Sequence, residues 1–156
     1  MTVEKAKLKL GKGVAFVKSR LLRLPQTADT WEVDIQPMAG KQGRIEFWLG
    51  MVLEQEHEHG GMPANQSFDH SPTVNDLAKL LADAMYRPLS EDGQHRPATI
   101  LLRQNPAWDE LVPHLRQLGI EVAFADALPT WTEAVHEQRG VGWARFLRNL
   151  GAPTDG

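Results

Sequence analysis

Ala98–Arg103 (ATILLR), Asn105–Gly119 (NPAWDELVPHLRQLG) and Ile120–Ala125 (IEVAFA) decide the fold. The first and last are apolar runs of strand length. Between them, Trp108, Leu111, Val112, Leu115 and Leu118 recur at three and four residues, the apolar stripe of a helix. Asn105-Pro106 reads as a cap and first-turn proline, and Gly119 stands where a left-handed stop belongs. Pro113 lies inside the stripe and is expected to kink or split the helix. Strand, helix and strand in this order predict two neighbouring parallel strands joined by a crossover.

Upstream, Val74, Leu77, Ala78, Leu81, Ala84 and Met85 carry the same period, so a second helix is expected after Thr73 and before Pro88. Thr73 and Asp76 are spaced as a capping box, and Ser71-Pro72 offers an alternative start. The polar loop SEDGQHRP (90–97) follows. In the first half, Trp31, Val33 and Ile35 alternate with Glu32, Asp34 and Gln36, which predicts a half-buried strand ending before Pro37 with its acids facing water. Arg44–Glu54 reads as the best strand of that half, antiparallel to the first, with a third short strand within 62–70. Residues 14–24 read equally as a strand and turn or as a short helix. Pro129–Arg139 is expected to be helical with Thr130 and Glu133 as a capping box, and 141–150 to form a last amphipathic turn or two.

The expected fold class is therefore α/β: a three-layer mixed sheet, N-terminal antiparallel strands followed by parallel strand-helix units. That order matches a ribonuclease H-like layout. One domain over 13–150 is expected, with 1–12 as a flexible or edge-strand tail and 151–156 as a disordered tail.

Composition excludes several chemistries. Without cysteine there is no disulfide, thiolate nucleophile or Cys-zinc site. Seventeen Lys and Arg against twenty Asp and Glu leave a net charge of −3, which argues against nucleic acid as the main partner although Lys5, Lys7, Lys9, Lys12, Lys18, Arg20 and Arg23 concentrate near the start. No apolar run reaches membrane length, so a cytoplasmic protein with no membrane partner is expected. There is no GxGxxG, P-loop or Gly-x-Ser-x-Gly, and no cofactor is indicated.

A ribonuclease H-like nuclease needs carboxylates converging on ions about 4 Å apart. Asp34 fits the central position on the first strand, but Arg103, Gln104 and Asn105 stand where the next acid is needed. The layout thus predicts a version without the nuclease site. His57 and His59, at i and i+2 beside Glu54, Glu56 and Glu58, are weak metal-ligand candidates with His70 or Asp69 as further donors. Trp143 and Phe146, with Arg139, Arg145 and Arg148 alongside, mark an interaction surface for a protein partner or a second copy if they do not pack on their own sheet.

The stretch 71–138 resembles an uncharacterised bacterial domain family common among cyanobacterial hypothetical proteins. The words that carry the resemblance are Arg96-Pro97, Trp108 with Leu111, Leu118-Gly119-Ile120 and Leu128-Pro129. It implies an α/β domain and carries no catalytic residues. The leading expectation is a noncatalytic interaction or regulatory domain, not an enzyme. The alternatives are a metal-dependent phosphoryl-transfer enzyme using Asp34, a metal-binding protein using His57 and His59, and a nucleic-acid-binding module.

Overall fold

The computed structural model describes residues 16–39, 43–55, 61–89 and 93–135. Helix α1 (Lys18–Leu21) settles the ambiguous first segment as helical. Strands β1 (Thr30–Ala39), β2 (Ile45–Glu54) and β3 (Ala64–Phe68) precede helix α2 (Val74–Tyr86). Strand β4 (Thr99–Leu102), a 3-10 turn at Pro106–Trp108, helix α3 (Val112–Gln117) and strand β5 (Glu121–Phe124) follow. Residues 129–135 are again helical.

The five strands form one sheet in the order β3-β2-β1-β4-β5. The first three pair antiparallel, whereas β1–β4 and β4–β5 are parallel, as expected of 98–103 and 120–125. Pro113 splits the crossover as its missing N–H requires, leaving the 3-10 turn and α3 in place of one helix. The Asn105 side chain caps that turn by accepting from Ala107 N, and α2 starts on the Thr73–Asp76 capping box rather than at Ser71. β1 runs on through Pro37. β4 flanks it only over Thr30–Val33, so its far half has β2 as its one partner and a residue without a donor is tolerated.

Both faces of the sheet are covered. Trp31, Val33, Ile35 and Val52 pack with α1, α2 and α3 around Leu77, Leu81, Leu111 and Leu115. On the other face, Met38, Leu49, Met51 and Leu53 pack with Leu128, Trp131 and Val135. The acids of β1 therefore do not face water, contrary to the period-two reading. Glu32 is fully buried and accepts from the Trp131 backbone N–H at 3.1 Å, closing the start of the helical segment 129–135, and from Gln55 Nε2 at 2.9 Å. Thr130 lies within that helix, so the expected Thr130–Glu133 box gives way to a cap supplied from the sheet.

The strand entries are locked by Arg96. Its Nε donates to Leu24 O at 3.1 Å and its Nη1 to Leu118 O. Gln26 Nε2 donates to Gly119 O at 2.7 Å and to Pro97 O at 3.2 Å. Gly119 itself holds φ at +79°, which a side chain disfavours. Replacing Arg96 by Met should lower stability by about 1–3 kcal/mol, the cost of stranding carbonyls that lose their donor. Gly119→Ala should cost about 1–2 kcal/mol through backbone strain alone, because the nearest atoms to its Cβ are at ordinary contact distance. Denaturant unfolding of each variant measures both, and an unchanged midpoint for Arg96→Met would show that the lock contributes nothing.

Candidate metal centre

Three chain segments converge where β1 and β4 begin and β2 ends. Asp29 immediately precedes β1, and its carbonyl accepts from Ala98 N at 2.9 Å and Thr99 N at 3.2 Å, which fixes the entry of β4 beside it. Glu54 is the last residue of β2 and pairs with Trp31 across the ladder. His95 lies in the loop ahead of β4, anchored by its backbone N–H on Met85 O at 3.1 Å. Its ring meets the Trp31 indole edge to face, with centroids 5.5 Å apart.

The His95 tautomer follows from its neighbours. Nδ1 is 2.8 Å from Gly93 O, and a carbonyl only accepts, so Nδ1 carries the proton. The lone pair of the neutral ring is then on Nε2. That atom lies 3.1 Å from Asp29 Oδ2 and 4.0 Å from Glu54 Oε1, yet it makes no hydrogen bond. One ligand atom from each of the three side chains falls within 4.8 Å of the others. An imidazole whose other nitrogen donates to a backbone carbonyl is the usual form of a metal-ligating histidine. A tetrahedral ion with bonds of about 2.0–2.2 Å needs ligand atoms roughly 3.3 Å apart, so a small closure of these side chains suffices.

Electrostatics point the same way. The His95 and Glu54 side chains are each 3% exposed, and the Asp29 side chain is 38% exposed. A cation placed between the buried Glu54 carboxylate and the partly exposed Asp29 carboxylate would gain from both. The donor set is two oxygens and one nitrogen with no sulfur, which suits manganese, zinc or iron. Three protein ligands leave coordination positions open on the Asp29 side. Gly61 makes the room: its carbonyl accepts from Glu54 N at 2.9 Å, and a Cβ there would meet Glu54 Oε2 at 2.6 Å.

The residues singled out in the sequence lie elsewhere. Asp34 is 4% exposed and is held by Arg103 Nε at 3.0 Å, Ile35 N at 2.9 Å and Gln36 Nε2 at 2.5 Å. It stands five residues along β1 from Asp29, about 17 Å away. Arg103 thus occupies the position expected of an acid and neutralises the carboxylate it would have joined. His70 is exposed and sits between Asp69 at 2.9 Å and Asp76 at 3.0 Å. His57 and His59, like Trp143, Arg145, Phe146 and Arg148, lie outside the described residues. Asp29 and His95 carried no sequence motif. The signal was topological: the Trp31–Glu54 register and the parallel entry of β4 bring all three residues to one end of the sheet.

A family model described as "Domain of unknown function (DUF6930)" matches residues 18–137. The chain belongs to this family. No curated protein matches it. Among solved structures, the DUF6930 chain is similar to one from a simian T-cell lymphotropic virus intasome in complex with PP2A regulatory subunit B56 gamma. The TM-score is 0.53 at 16% identity, over 99% of this chain and 49% of that one. It is also similar to the HTLV-2 integrase catalytic core domain in complex with magnesium, with a TM-score of 0.53 at 12% identity, over 85% of this chain and 78% of that one. The chain spans about half the length of the first of these. At such identity the likeness shows the fold, which is ribonuclease H-like.

Four expectations are corrected by these findings. The ribonuclease H-like layout does not come with an empty site, because Asp29, Glu54 and His95 form a metal-competent cluster. The noncatalytic interaction reading and the expectation of no enzyme fall with it, since both rested on the lack of such a cluster. The exclusion of nucleic acid rested on net charge, a property of the whole chain, and is withdrawn given a fold shared with intasome and integrase chains.

Asp34→Ala should cost about 1–3 kcal/mol, discounted for the partly exposed Arg103, and should leave the affinity of the cluster for metal unchanged. Denaturant unfolding and metal titration of one sample read both, and a loss of metal affinity would tie Asp34 to the centre. For His70, hydrogen bonds to Asp69 and then Asp76 raise the ring's pKa above its ordinary value. Its stabilisation is therefore complete below the unfolded pKa, near 6.5, and is lost as pH rises through the raised folded value. The melting temperature of the wild type should fall more between pH 6 and pH 8.5 than that of His70→Gln, and equal falls would refute the linkage.

Proposed function

We propose that this domain binds one divalent transition-metal ion through Asp29, Glu54 and His95 and is a metal-dependent hydrolase of phosphate esters, with nucleic acid or nucleotides as the substrate class. The observation that carries the reading is His95 Nε2: a buried ring nitrogen, oriented by Gly93 O through Nδ1, that faces two carboxylates and makes no hydrogen bond. A bound ion would act as a Lewis acid and lower the pKa of its water ligand. The protein's part is to hold the donors. Trp31 fixes the plane of the imidazole, the Met85 carbonyl fixes its loop, and the Glu54 carboxylate is confined against Gly61. The Asp29 side is the more exposed, so substrate and water approach there. The fold shared with an integrase core solved with magnesium supports phosphodiesters as the first substrates to assay, by analogy of fold alone.

Calorimetric titration of the metal-free, untagged protein with Mn²⁺ or Zn²⁺ should show one site. At a free concentration of 100 Kd the ion should raise stability by about 2.7 kcal/mol. Asp29→Asn, Glu54→Gln and His95→Gln should each weaken binding by about tenfold or more and abolish metal-dependent cleavage of bis(p-nitrophenyl) phosphate. Gly61→Ala should weaken it with all three ligands retained. A His57→Ala/His59→Ala double variant should bind as the wild type does. Binding unaltered in His95→Gln, or lost in the double variant alone, would move the site away from this cluster and end the proposal.

A further inference from the structure

Beside α2 lies a cavity of about 580 Å³ lined by Arg20, Lys79, Asp83, Tyr86, Arg87 and Gln94, among others. Three cations face one carboxylate. Lys79 is matched with Asp83 at 3.1 Å. Arg20 stacks its guanidinium 5.0 Å from the centre of the Tyr86 ring. Among the described residues, neither Arg20 nor Arg87 meets a carboxylate. Two unmatched arginines therefore converge on one cavity of a chain whose net charge is negative.

The end of α2 does not account for them. A helix C-terminus attracts cations because its last carbonyls lack partners. Here Asp83 O accepts from Arg87 N at 2.7 Å, Met85 O from His95 N at 3.1 Å and Tyr86 O from Gln94 Nε2 at 2.9 Å. These three carbonyls are satisfied by backbone and amide groups and do not hold the guanidinium groups.

We propose that this cavity binds the phosphate of a nucleoside phosphate through Arg20 and Arg87. Guanidinium forks match phosphate oxygens two at a time. The volume suits a ligand of nucleotide size. The Arg20 guanidinium, 5.0 Å over the Tyr86 ring, adds a planar group and an aromatic ring on which a base can stack. Gln94, which lines the cavity, is the chain neighbour of His95. The binding itself does not depend on the metal reading; only its role as a substrate subsite rests on it.

The test is calorimetric binding of AMP, inorganic phosphate and a short single-stranded oligonucleotide to the full chain in chelator. AMP should bind the wild type, more weakly as salt rises. Arg87→Gln, which leaves the Arg20–Tyr86 stack in place, should weaken AMP by about fivefold, and the Arg20→Gln/Arg87→Gln double variant by about tenfold or more, with unaltered circular dichroism. Tighter binding of the oligonucleotide than of AMP assigns the phosphate to a strand, and the reverse assigns it to a free nucleotide. If neither binds, or if the double variant binds both as the wild type does, the inference is overturned. AMP binding that depends on the arginines in a protein that takes no metal would refute the hydrolase reading and leave this one standing.

Discussion

The parallel pairing of β1 with β4 is the constraint on which the rest depends. Parallel neighbours must enter the sheet from the same end, so the segments leading into them are forced side by side. Thr27 N donates to Arg96 O, Arg96 N to Pro25 O, and Ala98 N to Asp29 O, a short run of bonds between two loops almost seventy residues apart. His95 is carried to Asp29 by this zipper. Because β2 runs antiparallel to β1, its last residue arrives at the same end, and Glu54 completes the set. The cluster is a consequence of topology before it is one of side chains.

The same constraint gives physical content to the words that mark the family. Arg96-Pro97 and Leu118-Gly119-Ile120 are the two halves of one lock, in which the guanidinium of one loop satisfies a carbonyl of the other. Gly119 is required there by its positive φ, and Gln26 ties the same turn to the strand entries. Leu128 starts the second core, over the face that carries Glu32 and Asp34. The resemblance seen in the sequence was thus a record of how the strand entries are held, not of what they do.

Most of the fold was legible. A period of two, β-branched and aromatic content and apolar runs of strand length placed the strands, a period of about 3.6 placed α2, and turn residues placed the caps at Thr73, Asn105 and Gly119. What failed was the assignment of faces. Glu32, Asp34 and Gln36 alternate with apolar residues as a wet face would, but Leu128, Trp131 and Val135 cover that side. Periodicity reports which residues share a face; it does not report whether another layer lies over it. Buried acids are affordable there because each has a dedicated partner, a helix start for Glu32 and a guanidinium for Asp34. The metal cluster escaped for a related reason. Its members are spread over 29, 54 and 95 on three loop or strand ends, and no local spacing records a contact made by strand register.

Open parallel sheets usually place their ligands beyond the carboxyl ends of the strands. In this chain the carboxyl end of β4 is closed. Arg103 bridges from Asp34 to Asp126 O at 2.8 Å, so the carboxylate best placed for a metal on that side is already matched by a positive charge. A second cation there would compete with a guanidinium that is tethered to the same strand end. At the opposite end a histidine ring nitrogen faces two acids, Asp29 at 3.1 Å and Glu54 at 4.0 Å. The sign of one side chain, Arg103, therefore closes one end of β1 to a cation, and the proposed site lies at the other. A shared strand order fixes where acids can stand, and the charge placed beside each acid decides which of them remain available to a metal.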